Sequence, residues 1–98
     1  MKIGIVILNW NGLDLLRKYL NEIILNSDNS TIYIIDNNSS DESVLYVRNN
    51  YTEVKVISLD KNYGFAEGYN IGLKEVEEEL LLIKKLINQS TDSVQVSD

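Results

Sequence analysis

The sequence predicts an α/β fold, with three layers (α/β/α) built around a small parallel sheet. Three short runs rich in β-branched residues, 3–8, 31–35 and 54–59, alternate with segments whose apolar residues recur at helical spacing. Each run ends in a polar cluster, as strands do when their carboxyl ends face a ligand-binding edge. Strand–helix alternation implies parallel strands joined by right-handed crossovers. The expected spatial order is 3-2-1.

Residues 3–8 are an almost continuous apolar run, which predicts a strand buried on both faces. Asn11-Gly12 marks a turn. Beyond it Leu15, Leu16, Tyr19, Leu20, Ile23 and Ile24 recur in pairs four apart, giving a helix one apolar face. Asn26-Ser27-Asp28-Asn29-Ser30 breaks that pattern. Residues 31–35 predict a second buried strand, ending at Asp36. Ser39 or Ser40 is placed to cap a helix starting near Asp41, with Asp41 and Glu42 in the first turn, where the helix dipole favours anions. Val44, Leu45 and Val47 supply its apolar face, and Asn49-Asn50 ends it.

Residues 54–59 alternate only in part, which suits a strand nearer an edge. Residues 60–64 make a loop, and a helix follows from about Phe65. Leu73, Val76, Leu80, Ile83 and Ile87 have the 3-4-3-4 spacing of one continuous helix to about Asn88. The alternative closes that helix at Glu77-Glu78-Glu79 and makes residues 80–83 a fourth strand. Residues 1–88 therefore form one α/β half domain, and the polar tail 89–98 is expected to fray.

Composition narrows the function. The 98 residues carry a net charge of −6 and no histidine, so nucleic acid is not an expected partner. An anionic ligand could still be held through a bridging divalent cation. No cysteine is present, so there is no disulfide framework and no thiolate chemistry. The first eight residues hold one lysine and an apolar stretch too short for a signal-peptide core. No stretch approaches the roughly 20 apolar residues of a membrane span. A cytoplasmic location is the expectation.

Three clusters could carry chemistry. Asp36, Asn38 and Asp41 lie in the turn after the second strand, where a carboxylate can accept N–H or O–H groups of a ligand. The plainer alternative is that both acids cap turns. Asn9-Trp10-Asn11 sets an aromatic ring beside two amides, a combination that can stack on a base and read its edge. Alternatively Trp10 simply covers the end of the domain. Gly64, Gly68 and Gly72 are four apart and would line one side of a helix, with Asn62 before them and Asn70 among them. Glycines cost about 1 kcal/mol each in a helix interior, so something must approach that backbone closely, either a ligand or the sheet. With only one glycine in the first turn, the dinucleotide-binding fingerprint fails.

Together the three clusters resemble family 2 glycosyltransferases of the GT-A fold. The matching segments are Val-Ile-Leu-Asn-Trp-Asn-Gly at 6–12, Ile-Asp-Asn-Asn-Ser-Ser-Asp at 35–41 and Asn-Tyr-Gly-Phe-Ala-Glu-Gly-Tyr-Asn-Ile-Gly at 62–72. The resemblance covers roughly residues 1–76, the nucleotide-binding half of such an enzyme. It implies a UDP- or dTDP-sugar donor and transfer of the sugar to a hydroxyl acceptor. By position, Asn9, Trp10 and Asn11 would surround the nucleoside, and Asp36 would hydrogen-bond the base, with Asn38 and Asp41 in the same turn. Asn62, Gly68 and Asn70 would approach the base and phosphates. The family uses Mg²⁺ or Mn²⁺ held by an Asp-X-Asp motif. Here Glu79-Leu80-Leu81-Leu82-Ile83 is followed by Lys84-Lys85-Leu86-Ile87, with no acid in that place. Asp92 and Asp98 lie in the tail. No metal ligand or catalytic residue is therefore assigned, and little or no transfer is expected from this chain alone. The rival reading is a non-catalytic assembly protein, homodimeric through the edge of the first strand.

Overall fold

The computed structural model describes residues 3–90, and side-chain surroundings for residues 4–78. Six elements follow in order: β1 (Ile3–Asn9), α1 (Leu13–Leu25), β2 (Ser30–Asp36), α2 (Ser43–Asn50), β3 (Lys55–Ser58) and α3 (Phe65–Ser90). The three strands are parallel in the order β1-β2-β3, the 3-2-1 arrangement expected. The register pairs Ile5 with Ile32, Ile7 with Ile34 and Asn9 with Asp36, and Asp36 in turn with Ser58. The three strand ends are therefore level, and the loops that follow them meet at one edge.

Strand alternation divides the core in two. Ile32 and Ile34 of β2 pack with Leu16 and Leu20 of α1, Val47 of α2 and Val54. Ile5 and Ile7 of β1 and Val56 of β3 join the same cluster. The other face of β2 meets α3. A methyl group added at Gly72 would overlap the Ile35 side chain, so the helix backbone lies directly against the strand. Helices α1 and α2 thus form one layer and α3 the other.

Several expectations need correction. The strand buried on both faces is β2, where Ile32 through Asp36 are all buried, while Ile5 through Leu8 of β1 are only half-buried. Both runs are apolar, but among the described residues β1 ends the sheet and has one neighbouring strand. The buried face of α1 is narrower than six residues: Leu16 and Leu20 are buried, whereas Leu15 and Tyr19 are exposed. Helix α2 begins at Ser43, with no side-chain hydrogen bond from its N-cap residue Glu42, so neither Ser39 nor Ser40 caps it. Their hydrogen bonds go elsewhere, as described below. Gly64 precedes α3 and takes φ +82°, a left-handed conformation that glycine adopts at no steric cost. Only Gly68 and Gly72 lie within the helix.

Residues 80–83 belong to α3, which resolves the helix–strand alternative in favour of the helix. Gln89 and Ser90 are its last residues, and the rest of the expected tail, with Asp92 and Asp98, lies outside the described residues.

Candidate functional site

Alternation along the end of β2 sends two consecutive side chains to opposite layers. Asp36 continues the Ile32–Ile34 face toward α1 and α2, and Asn37 continues the Ile35 face toward α3. Both are 3% exposed. They organise two different halves of the carboxyl edge.

On the first half, Asp36 Oδ1 accepts hydrogen bonds from Asn9 Nδ2 at 2.9 Å and Ser39 Oγ at 2.6 Å, and Oδ2 accepts from Ser39 N at 2.9 Å. A carboxylate has about four acceptor positions, so one remains on Oδ2. Asn9, itself buried, also lies within reach of Ser43 Oγ at 2.9 Å and Ser39 Oγ at 3.3 Å. Asn11, at φ +49°, accepts from Ser40 N at 2.7 Å and Asp41 N at 3.2 Å, while its own N–H donates to Ser39 Oγ at 2.9 Å. Asp41 accepts from Leu13 N at 3.1 Å, at the start of α1, and from Ser43 N at 3.0 Å, at the start of α2. Partial desolvation alone would raise the Asp41 carboxyl. The Ser43 hydroxyl, together with the backbone N–H groups of Ser43, Leu13 and Asp41, outweighs it and holds the group below its ordinary 3.8. This half of the edge is a closed polar network linking β1, β2, α1 and α2. Asn38 is exposed and takes φ +61°, turning the chain into that network.

The other half holds a cavity of about 340 Å³, lined by Leu8, Trp10, Asn37, Asn62, Gly64 and Phe65. Trp10 is 56% exposed and Phe65 81%, so two aromatic rings stand open at its rim. Exposed large aromatics at a concave edge mark binding surfaces more often than packing. Asn62 Oδ1 accepts from Gly64 N at 2.7 Å and shapes the loop at the rim. The amino-terminal end of α3 opens here, a position favourable to an anion, though Glu67 in its first turn opposes that.

Of the nine residues singled out in the sequence, Trp10 and Asn62 line this cavity. Asn9, Asn11, Asp36 and Asp41 form the network beside it. Gly68 is buried, with the Asn37 amide so close that a methyl group there would lie 2.8 Å from Nδ2. Asn70 is exposed on α3 and does not line the cavity. Sequence reasoning missed Asn37 and Phe65. The period-two pattern of β2 carried the signal for Asn37, since extending it one residue past Asp36 reaches the α3 face.

A second cavity, of about 380 Å³, lies at the amino end of β2 and β3, with Asp28 and Glu53 in its lining. Two carboxylates disfavour an anionic ligand there. Among the described residues no helix is long and apolar enough to cross a membrane. A family model for glycosyl transferase family 2 matches residues 4–83 of the chain. No curated protein matches it.

Proposed function

We propose, from the premise that the chain belongs to glycosyl transferase family 2, that it binds the nucleotide portion of a UDP- or dTDP-sugar whose sugar passes to a hydroxyl acceptor. The observation that supports this best is the cavity between Trp10 and Phe65 at the carboxyl edge of the sheet. Aromatic faces stack on a pyrimidine, and stacking of this kind contributes about 1–3 kcal/mol per base. The Asn62 amide lies in the same lining, and Asp36, buried in the network beside the cavity, acts on the ligand through the turn it holds. Asn9, Asn11, Asn38 and Asp41 act on the ligand through the turn they shape. Gly68 and Asn70 act through the start of α3.

The family implies Mg²⁺ or Mn²⁺ at the diphosphate. Among the described residues no group of three or more His, Cys, Asp or Glu side chains could hold a cation. The sequence also has Lys84-Lys85 where the acids would follow. The described residues and this stretch of sequence do not fit the metal. The expectation is binding without transfer by this chain alone.

Trp10 is the sole tryptophan, so its fluorescence reports directly on the cavity. Titration with UDP should give saturable quenching. A flat titration to millimolar UDP, with no amide shifts by NMR, would remove the reading.

The position of β1 at the edge of the sheet, with Ile5 through Leu8 half-buried, favours a second role in self-association. Sedimentation as a clean monomer at high concentration would exclude it.

A further inference from the structure

We propose that Asn37 is the positioning residue that sets the gap of the cavity, by tying its two walls together. The proposal rests on the nucleotide-binding reading for its consequence, but not for its geometry. Besides Asn37, two segments line it: the end of β1 with Leu8 and Trp10, and the loop and start of α3 with Asn62, Gly64 and Phe65; these are its two walls. The Asn37 backbone N–H donates to Asn9 O at 2.8 Å, which fixes it to the end of β1 immediately before Trp10. Its side chain reaches the other wall. Oδ1 accepts from Tyr63 N at 3.0 Å, and Nδ2 donates to Gly64 O at 2.8 Å.

The Gly64 carbonyl is shared. It also accepts from Gly68 N at 3.1 Å, the bond that closes the start of α3. Asn37 is therefore joined to the helical turn that bears Phe65. The remaining side-chain bonds around this loop, Tyr63 to Asp60 and Gly64 to Asn62, run within it. They shape the loop without attaching it to the sheet. Gly68 completes the arrangement, because any side chain there would push the Asn37 amide from its place. The amide needs both its donor and its acceptor, so neither a carboxylate nor an apolar side chain of the same shape substitutes for it.

The test is three variants read in two ways. Asn37→Asp keeps an acceptor for Tyr63 N but sets a second anionic oxygen against Gly64 O. At about pH 7.5 it should bind UDP roughly tenfold or more weakly than wild type. Burial and the adjacent Asp36 disfavour the charged form of the new carboxyl, so on acidification its protonated form donates to Gly64 O and the deficit shrinks. Asp60 and Glu67 are the carboxylates on the loop and the first turn of α3, and the wild-type pH profile is the reference against which the variant is read. Asn37→Leu should lose affinity without recovery at any pH. Gly68→Ala, which displaces the amide from the helix side, should weaken binding in the same direction.

The ligand-free readout is amide exchange. In Asn37→Leu, Tyr63 N–H should exchange at least tenfold faster while Ile34 and Ile35 keep their protection. Wild-type affinity in Asn37→Asp at about pH 7.5, or unchanged exchange at Tyr63, overturns the proposal. If wild type itself fails to bind UDP, the nucleotide reading falls, and exchange at Tyr63 still decides whether Asn37 holds the loop.

Discussion

Asn9 and Asp36, the paired last residues of β1 and β2, are joined by a 2.9 Å hydrogen bond from Asn9 Nδ2 to Asp36 Oδ1. Both side chains are buried, and Asp36 takes two further bonds from Ser39. The strand-end acid is thus first a structural anchor. Removing one partner of a buried hydrogen bond to a carboxylate leaves the other short of a partner, which costs about 1–3 kcal/mol or more. Asn9→Leu and Asp36→Ala should each lower the stability by about 2–4 kcal/mol in urea denaturation. A loss below about 0.5 kcal/mol for either would mean that the network is loose. Lost UDP binding by Asp36→Ala is consequently ambiguous unless the variant is shown to be folded.

The Gly72 position makes a prediction of opposite sign to helix propensity. Ala for Gly inside a helix normally adds about 1 kcal/mol of stability. Here the new methyl would overlap the Ile35 side chain on β2. Overpacking of that kind costs about 1–3 kcal/mol, so Gly72→Ala should be neutral to destabilising. Combining it with Ile35→Ala, which removes the overlapping atoms, should leave Gly72→Ala stabilising relative to Ile35→Ala alone. Thermal melts of the four proteins in this cycle decide it. A rise in Tm for Gly72→Ala alone would show that the helix can move off the strand.

Much of this arrangement was legible in the chain. The β-branched run of β2 and the 3-4-3-4 spacing of α3 mark both elements, and the alternation of strands and helices with right-handed crossovers carries the strand order. Burial was less legible. The runs in β1 and β2 look alike, yet among the described residues only β2 has a strand on both sides. The start of α2 was misplaced because Ser39 has hydrogen-bond partners in the β1 loop that no local capping rule can anticipate. The glycines at 68 and 72 announced a close approach, but not to what. The sheet and the Asn37 amide supply that contact. The Asn9 to Asp36 bond is not legible locally either: a strand-end carboxylate looks identical in sequence whether it faces a ligand or an asparagine 27 residues away.

Asp41 predicts a pH dependence. Its folded-state pKa lies below the ordinary 3.8, so the native state binds fewer protons than the unfolded chain there. The stability it contributes is present above that ordinary value and is lost as pH falls through the lower, folded pKa. Asp41→Asn should therefore cost stability at neutral pH. The gap between wild type and variant should narrow in the acid range. Urea midpoints measured down to about pH 3 test this, and a gap independent of pH would assign the effect to packing instead.

The two rim aromatics predict a separation of binding from stability that the anchor residues do not allow. Trp10 and Phe65 are exposed, and neither belongs to the buried core cluster. Their replacement by alanine should change stability by no more than about 0.5 kcal/mol. Each ring offers a stacking face worth about 1–3 kcal/mol to a base, so each variant should weaken UDP binding roughly five- to 150-fold. Binding of Trp10→Ala must be followed by calorimetry, since the fluorophore is gone. Phe65→Ala can be followed by Trp10 quenching. If the base lies between the rings, the two losses should be less than additive, because removing one wall lets the base leave the other. Fully additive losses would place the rings on separate parts of the ligand, and loss from Trp10→Ala alone would confine the base to the β1 side of the cavity.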